Sequence, residues 1–86
     1  MPTISQFYGI LIRMFFDDHN PPHFHAEYQG FKAKFSIQES SLTEGELPPR
    51  AKNLVIEWAK AHKKELLEDW ELAGKHAQLN QIAPLE

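Results

Sequence analysis

The chain has 86 residues, no cysteine, and nine Lys and Arg against twelve Asp and Glu, for a net charge of -3. A chain this short makes one small domain that buries about 60 to 65% of its unfolded surface, so its stability is marginal and homodimer formation would help it. The missing cysteines exclude a disulfide framework, a thiolate zinc site and a thiol nucleophile, and the acidic balance argues against coating nucleic acid by bulk charge, although a local basic face stays open.

No basic stretch followed by an apolar run opens the chain, and no apolar segment approaches the roughly 18 residues that span a bilayer. A cytoplasmic protein with no membrane partner is expected. Tyr8 to Phe16 is rich in branched and aromatic residues and reads as a strand, with Tyr8, Ile10, Ile12, Met14 and Phe16 on one face and Leu11, Arg13 and Phe15 on the other. Asp17-Asp18-His19-Asn20-Pro21-Pro22 then forces a loop.

From His23 the alternation is clean: Phe24, Ala26 and Tyr28 face one way, and His23, His25 and Glu27 the other. Gln29-Gly30 separates this run from Phe31 to Ile37, which alternates in the same phase. A two-residue hairpin would set Tyr28 opposite Phe31. Glu27 then faces Lys32, His25 faces Lys34 and His23 faces Ser36 on the outer surface.

Residues 39–47 carry three carboxylates and one glycine and read as an acidic connector. Pro48-Pro49 starts a helix, because proline fits a first turn where its missing N–H costs nothing. The stripe Leu54, Val55, Trp58, Ala59, His62, Leu66, Trp70 and Ala73 is helical. One continuous helix would be about 40 Å long, too much for so small a core, so a break is expected near 61–64. Gly74 closes the helical region, and the tail 77–86 is expected to be loosely held. The expected fold is one α+β domain, with strands over about 3–38, a connector at 39–47 and helices over 48–76. It is a three-stranded antiparallel sheet followed by two helices packed on one face.

The ionisable groups concentrate in one place, where Asp17, Asp18, His19, His23, His25 and Glu27 fall within eleven residues. A His-x-His pair on a strand puts both rings on one side, roughly 6 to 7 Å apart at Cα, a spacing that a divalent metal can bridge. Asp17 or His19 would supply a third ligand from the loop. Asp17 and Asp18 also suit plain turn formation, and Lys34 opposite His25 weighs against a cation. A second reading makes the same face a phosphate or nucleic-acid surface built on Arg13, Lys32 and Lys34. His19, His23 or His25 would then act as acid or base, as in a small metal-free nuclease. A solvated polar face is the plain alternative to both.

The residues Met1-Pro2-Thr3-Ile4, Gly9-Ile10 to Phe16 and Asp17-Asp18-His19-Asn20-Pro21-Pro22-His23-Phe24-His25-Ala26 resemble domain of unknown function 4160, a family of small bacterial proteins. Gly45-Glu46-Leu47-Pro48-Pro49-Arg50, Trp58, His62 and the run from Glu65-Leu66 to Trp70 also fit its pattern, so the resemblance covers nearly the whole chain. It implies no established activity. It does imply a two-gene, toxin-antitoxin-like setting, hence a binding component that pairs with a small partner protein and with nucleic acid. The functional weight falls on His19, His23 and His25, with enzyme and binding module both open.

Overall fold

The computed structural model describes residues 2–86. Among these, five strands precede two helices: β1 (Thr3–Phe7), β2 (Ile10–Arg13), β3 (His23–Tyr28), β4 (Phe31–Ser36), β5 (Ser41–Gly45), α1 (Pro49–Ala61) and α2 (Lys63–Gly74). The strands form one antiparallel meander in chain order. The α+β class stands, but the sheet has five strands and not the expected three.

Both additional strands have a physical reason. Tyr8 and Gly9 sit at φ 49° and 79°, two consecutive left-handed residues that make a tight hairpin turn between β1 and β2. The single long strand expected over Tyr8 to Phe16 is therefore only Ile10–Arg13, and it keeps Ile10, Ile12 and Met14 in the core while Tyr8 and Phe16 are exposed. The acidic connector supplies β5, an edge strand whose exposed Thr43 and Glu44 suit a sheet margin facing water. The hairpin at Gln29-Gly30 has the expected register, Tyr28 opposite Phe31 through His23 opposite Ser36.

The core lies between the inner sheet face and the helices. Trp58 of α1 is fully buried, 5.4 Å from the Phe7 ring and 5.8 Å edge-on to Phe24, which in turn stacks on Phe35 at 5.4 Å. Such aromatic pairs add roughly 0.5 to 1.5 kcal/mol each beyond burial alone. Pro48 and Pro49 open α1, and the helix ends at His62, whose N–H reaches Trp58 O and Ala59 O. His62 then begins α2, so the helical region breaks where expected.

The tail differs from the loose segment expected. Leu79 and Ile82 are buried, Ile82 N–H donates to Ile4 O (2.8 Å), and Trp58 Nε1–H donates to Ala83 O (2.8 Å). The tail thereby covers the free edge of β1, which would otherwise expose unpaired backbone groups. Asp69, fully buried on α2, anchors its start by accepting the Asn80 N–H at Oδ1 (2.9 Å), while its Oδ2 is buried with no partner. Burial pushes the Asp69 carboxyl above its ordinary value, against the Asn80 hydrogen bond, and nearby Glu68 and Glu65 push the same way.

Two stability predictions follow from this packing. Gly45 has φ +79°, and a Cβ there would lie 2.2 Å from Lys32 O. Gly45→Ala is therefore expected to cost about 2 kcal/mol or more in urea denaturation; an unchanged midpoint would contradict this close approach. For Asp69 the raised folded value means that ionisation above the unfolded value of 3.8 costs the folded state stability. The melting-temperature advantage of Asp69→Asn over wild type should thus grow between pH 3.5 and pH 7, and a constant difference would refute this placement of charge.

Candidate metal and acid–base centre

β2, β3 and β4 lie side by side with Arg13 opposite His25 and His25 opposite Lys34, so these three side chains share the outer sheet face. That face is not uniformly solvated. The loop 17–22 folds back over its end, and His23, expected on the outer surface, is only 5% exposed.

The loop is held at both ends. Asp17 takes a left-handed conformation (φ 54°), which Asp tolerates better than most residues, and its N–H donates to Ala73 O at the end of α2 (3.1 Å). The following residue, Asp18, then turns inward over the sheet. His23 Nδ1 lies 2.8 Å from Pro21 O and Nε2 lies 2.8 Å from Asp18 Oδ2, and the ring stands 5.2 Å from Trp70. A carbonyl oxygen only accepts, so Nδ1 carries a proton and donates it to Pro21. His25 Nε2 lies 3.7 Å from the same Asp18 oxygen, and Phe15 packs on its ring at a centroid distance of 4.3 Å.

Asp18, His23 and His25 thus converge, with one potential ligand atom from each lying within 4.8 Å of the others. His25 Nε2 is buried and has no hydrogen-bond partner. Burial of Asp18 opposes its ionisation, but the His19 N–H and the facing His23 outweigh this and hold the carboxyl below its ordinary value. Burial and then His23 push His25 below the ordinary imidazole value, against the pull of Asp18, and Lys34 adds in the same direction. The result is an ionised carboxylate beside an imidazole whose Nε2 makes no hydrogen bond.

The other residues expected at the site are placed differently. Asp17 points to solvent, 76% exposed and 3.7 Å from His76, so the carboxylate beside the histidines is Asp18. His19 is 87% exposed and contacts Asp18 Oδ1 from outside, with its ring 6.2 Å from that of His23. Arg13 lies on the outer face as the phosphate reading requires, but it pairs with Glu27 (3.6 Å), the carboxylate expected to serve Lys32. Lys34 pairs with Glu44 (3.5 Å) of the unexpected β5, and Lys32 is exposed to solvent.

A family model described as Domain of unknown function (DUF4160) matches residues 9–71. The chain belongs to this family. No curated protein and no solved structure matches it. The DUF4160 segment runs from the β1–β2 turn into α2 and contains Asp18, His23 and His25 together with the loop that joins them. Among the described residues of this DUF4160 domain, no helix is long and apolar enough to cross a membrane.

The Asp18–His23 contact should couple the loop to the sheet. A double-mutant cycle with Asp18→Ala and His23→Ala, read by chemical denaturation, is expected to give a coupling energy of about 1 to 3 kcal/mol. Additive effects would show that the contact does not hold the loop down.

Proposed function

We propose that this domain is a divalent transition-metal protein whose ligands are Asp18 Oδ2, His23 Nε2 and His25 Nε2. The observation that carries this reading is the buried, partnerless His25 Nε2 beside an Asp18 oxygen already facing His23 Nε2. In the metal-free fold Asp18 Oδ2 and His23 Nε2 share a hydrogen bond of 2.8 Å, and the same oxygen lies 3.7 Å from His25 Nε2. A cation among the three atoms takes the place of the proton shared by Asp18 and His23 and also gives His25 Nε2 the partner it lacks.

The chemistry of the donors fits. Two imidazole nitrogens and one carboxylate suit zinc, iron, cobalt or nickel, and three protein ligands leave positions free for a further ligand. The bond from His23 Nδ1–H to Pro21 O is the kind of supporting contact that fixes the tautomer of a ligating histidine. When bound, such an ion supplies Lewis acidity and lowers the pKa of a coordinated water.

A metal-free reading keeps the hydrogen bond between His23 and Asp18 and makes His25 the acid or base of a small nuclease. It leaves His25 Nε2 buried without a partner, so the metal reading is preferred. The binding-component reading, with partner protein and nucleic acid in a toxin-antitoxin-like module, rests on resemblance and uses no feature of this centre.

The test is calorimetric titration and thermal melting of chelator-treated protein with zinc, cobalt, nickel and manganese. One equivalent should bind, and metal at one hundred times Kd adds about 2.7 kcal/mol, or roughly 10 to 20 °C in Tm for a domain of this size. His25→Phe keeps the packing on Phe15 and removes the unsatisfied nitrogen. Its metal-free melting temperature should equal or exceed that of wild type while the metal response disappears. Melting unchanged by all four ions would end this reading.

A further inference from the structure

Beside the centre, on the β4–β5 side, lies a depression of about 220 Å³ whose lining includes His19, His23, Lys34, Ser36, Thr43 and Glu44. A second hollow of about 240 Å³ adjoins His25 and shares Lys34 and Glu44 with the first. The Lys34–Glu44 pair therefore lies between the two hollows, next to both histidines. We propose that the metal-loaded centre takes a phosphoryl group, one of whose oxygens fills an open coordination position while Lys34 holds another. This inference rests on the metal reading above and names the ligand class of that site.

Three features favour a tetrahedral oxyanion. Lys34 is only partly exposed, and its partner Glu44 is 73% exposed and touches it at 3.5 Å. A pair of this kind contributes little and yields to a stronger anion. Ser36 Oγ accepts the Glu39 N–H at 3.2 Å, which leaves its own O–H free to donate into the depression. The exposed ring of His19 also lines the depression. Donors thus approach from the ammonium, a hydroxyl and an imidazole, and a phosphoryl group offers an oxygen to each while still binding metal.

Charge points the same way. A divalent ion with Asp18 leaves one positive charge, and Lys34 adds another once Glu44 swings away. A phosphate dianion balances both. A single carboxylate balances one and has too few oxygens to meet metal, ammonium and hydroxyl together.

The experiment uses the full chain loaded with cobalt, whose visible bands report a change of coordination. Inorganic phosphate, a dithymidine phosphodiester and acetate are titrated separately and followed by absorption and calorimetry. Saturable binding of phosphate, of the diester, or of both, with a shift in the cobalt bands, supports the proposal and tells free phosphate from a nucleic-acid backbone as the source. Lys34→Met should weaken that binding at least tenfold without weakening cobalt binding, and Lys34→Arg should restore most of it. Cobalt binding with no phosphoryl response overturns the phosphoryl inference alone. Equal response to acetate, equal phosphate binding without cobalt, or no effect of Lys34→Met also overturns it. Failure to bind cobalt, zinc, nickel or manganese instead removes the metal reading on which it stands.

Discussion

The imidazole of His23 is the fixed point of this molecule. It opens a central strand, it is buried, and both of its nitrogens are committed, Nδ1 to Pro21 O and Nε2 to Asp18 Oδ2. These two contacts fold the loop 17–22 back onto the outer sheet face, and the loop in turn fastens to the end of α2 through Asp17 N–H and Ala73 O. Strand, loop and second helix therefore share one junction, with the Trp70 ring against the imidazole. A buried polar group with every valence satisfied specifies a single arrangement, whereas one left half satisfied costs about 1 to 3 kcal/mol. His23 is in the first condition and His25, two residues on, is in the second.

Sequence periodicity makes the centre of the sheet legible and its margins obscure. β3 and β4 alternate strictly and are joined by Gln29-Gly30, so strand limits, register and outward set all follow from the sequence. β1 hides because a bulge between Thr3 and Ser5 breaks the alternation and puts adjacent Ile4 and Ser5 both inside. β5 hides because an edge strand facing water on most sides needs little apolar content; only Leu42 packs against the core. The tail is fixed by contacts with Ile4, Trp58 and Asp69, residues distant in sequence, and no local pattern announces them.

The candidate site divides along the same line. The two histidines on β3 are a local feature, and period two places them on one face. The choice between Asp17 and Asp18 is not local, because adjacent residues in a loop point in different directions according to a single backbone dihedral. Here the left-handed turn at Asp17 sends Asp18 inward. Pairing of the basic residues was likewise hidden, since the partner of Lys34 comes from β5 and that of Arg13 from a diagonal neighbour on β3.

These pairings matter for what the face can recognise. Arg13 and Lys34 each meet a carboxylate, so the outer sheet is not the bare basic stripe that steers nucleic acid by long-range attraction. Any recognition on this face would be short-range, through a few groups held in place. A strand supplies two donors at fixed spacing, and a loop pinned at both ends supplies the third, so the three atoms stand close together before any ligand arrives. Preorganisation of this kind lowers the entropy lost on binding. Of these three atoms His25 Nε2 alone makes no hydrogen bond within the fold, and it is the one that a bound cation would satisfy.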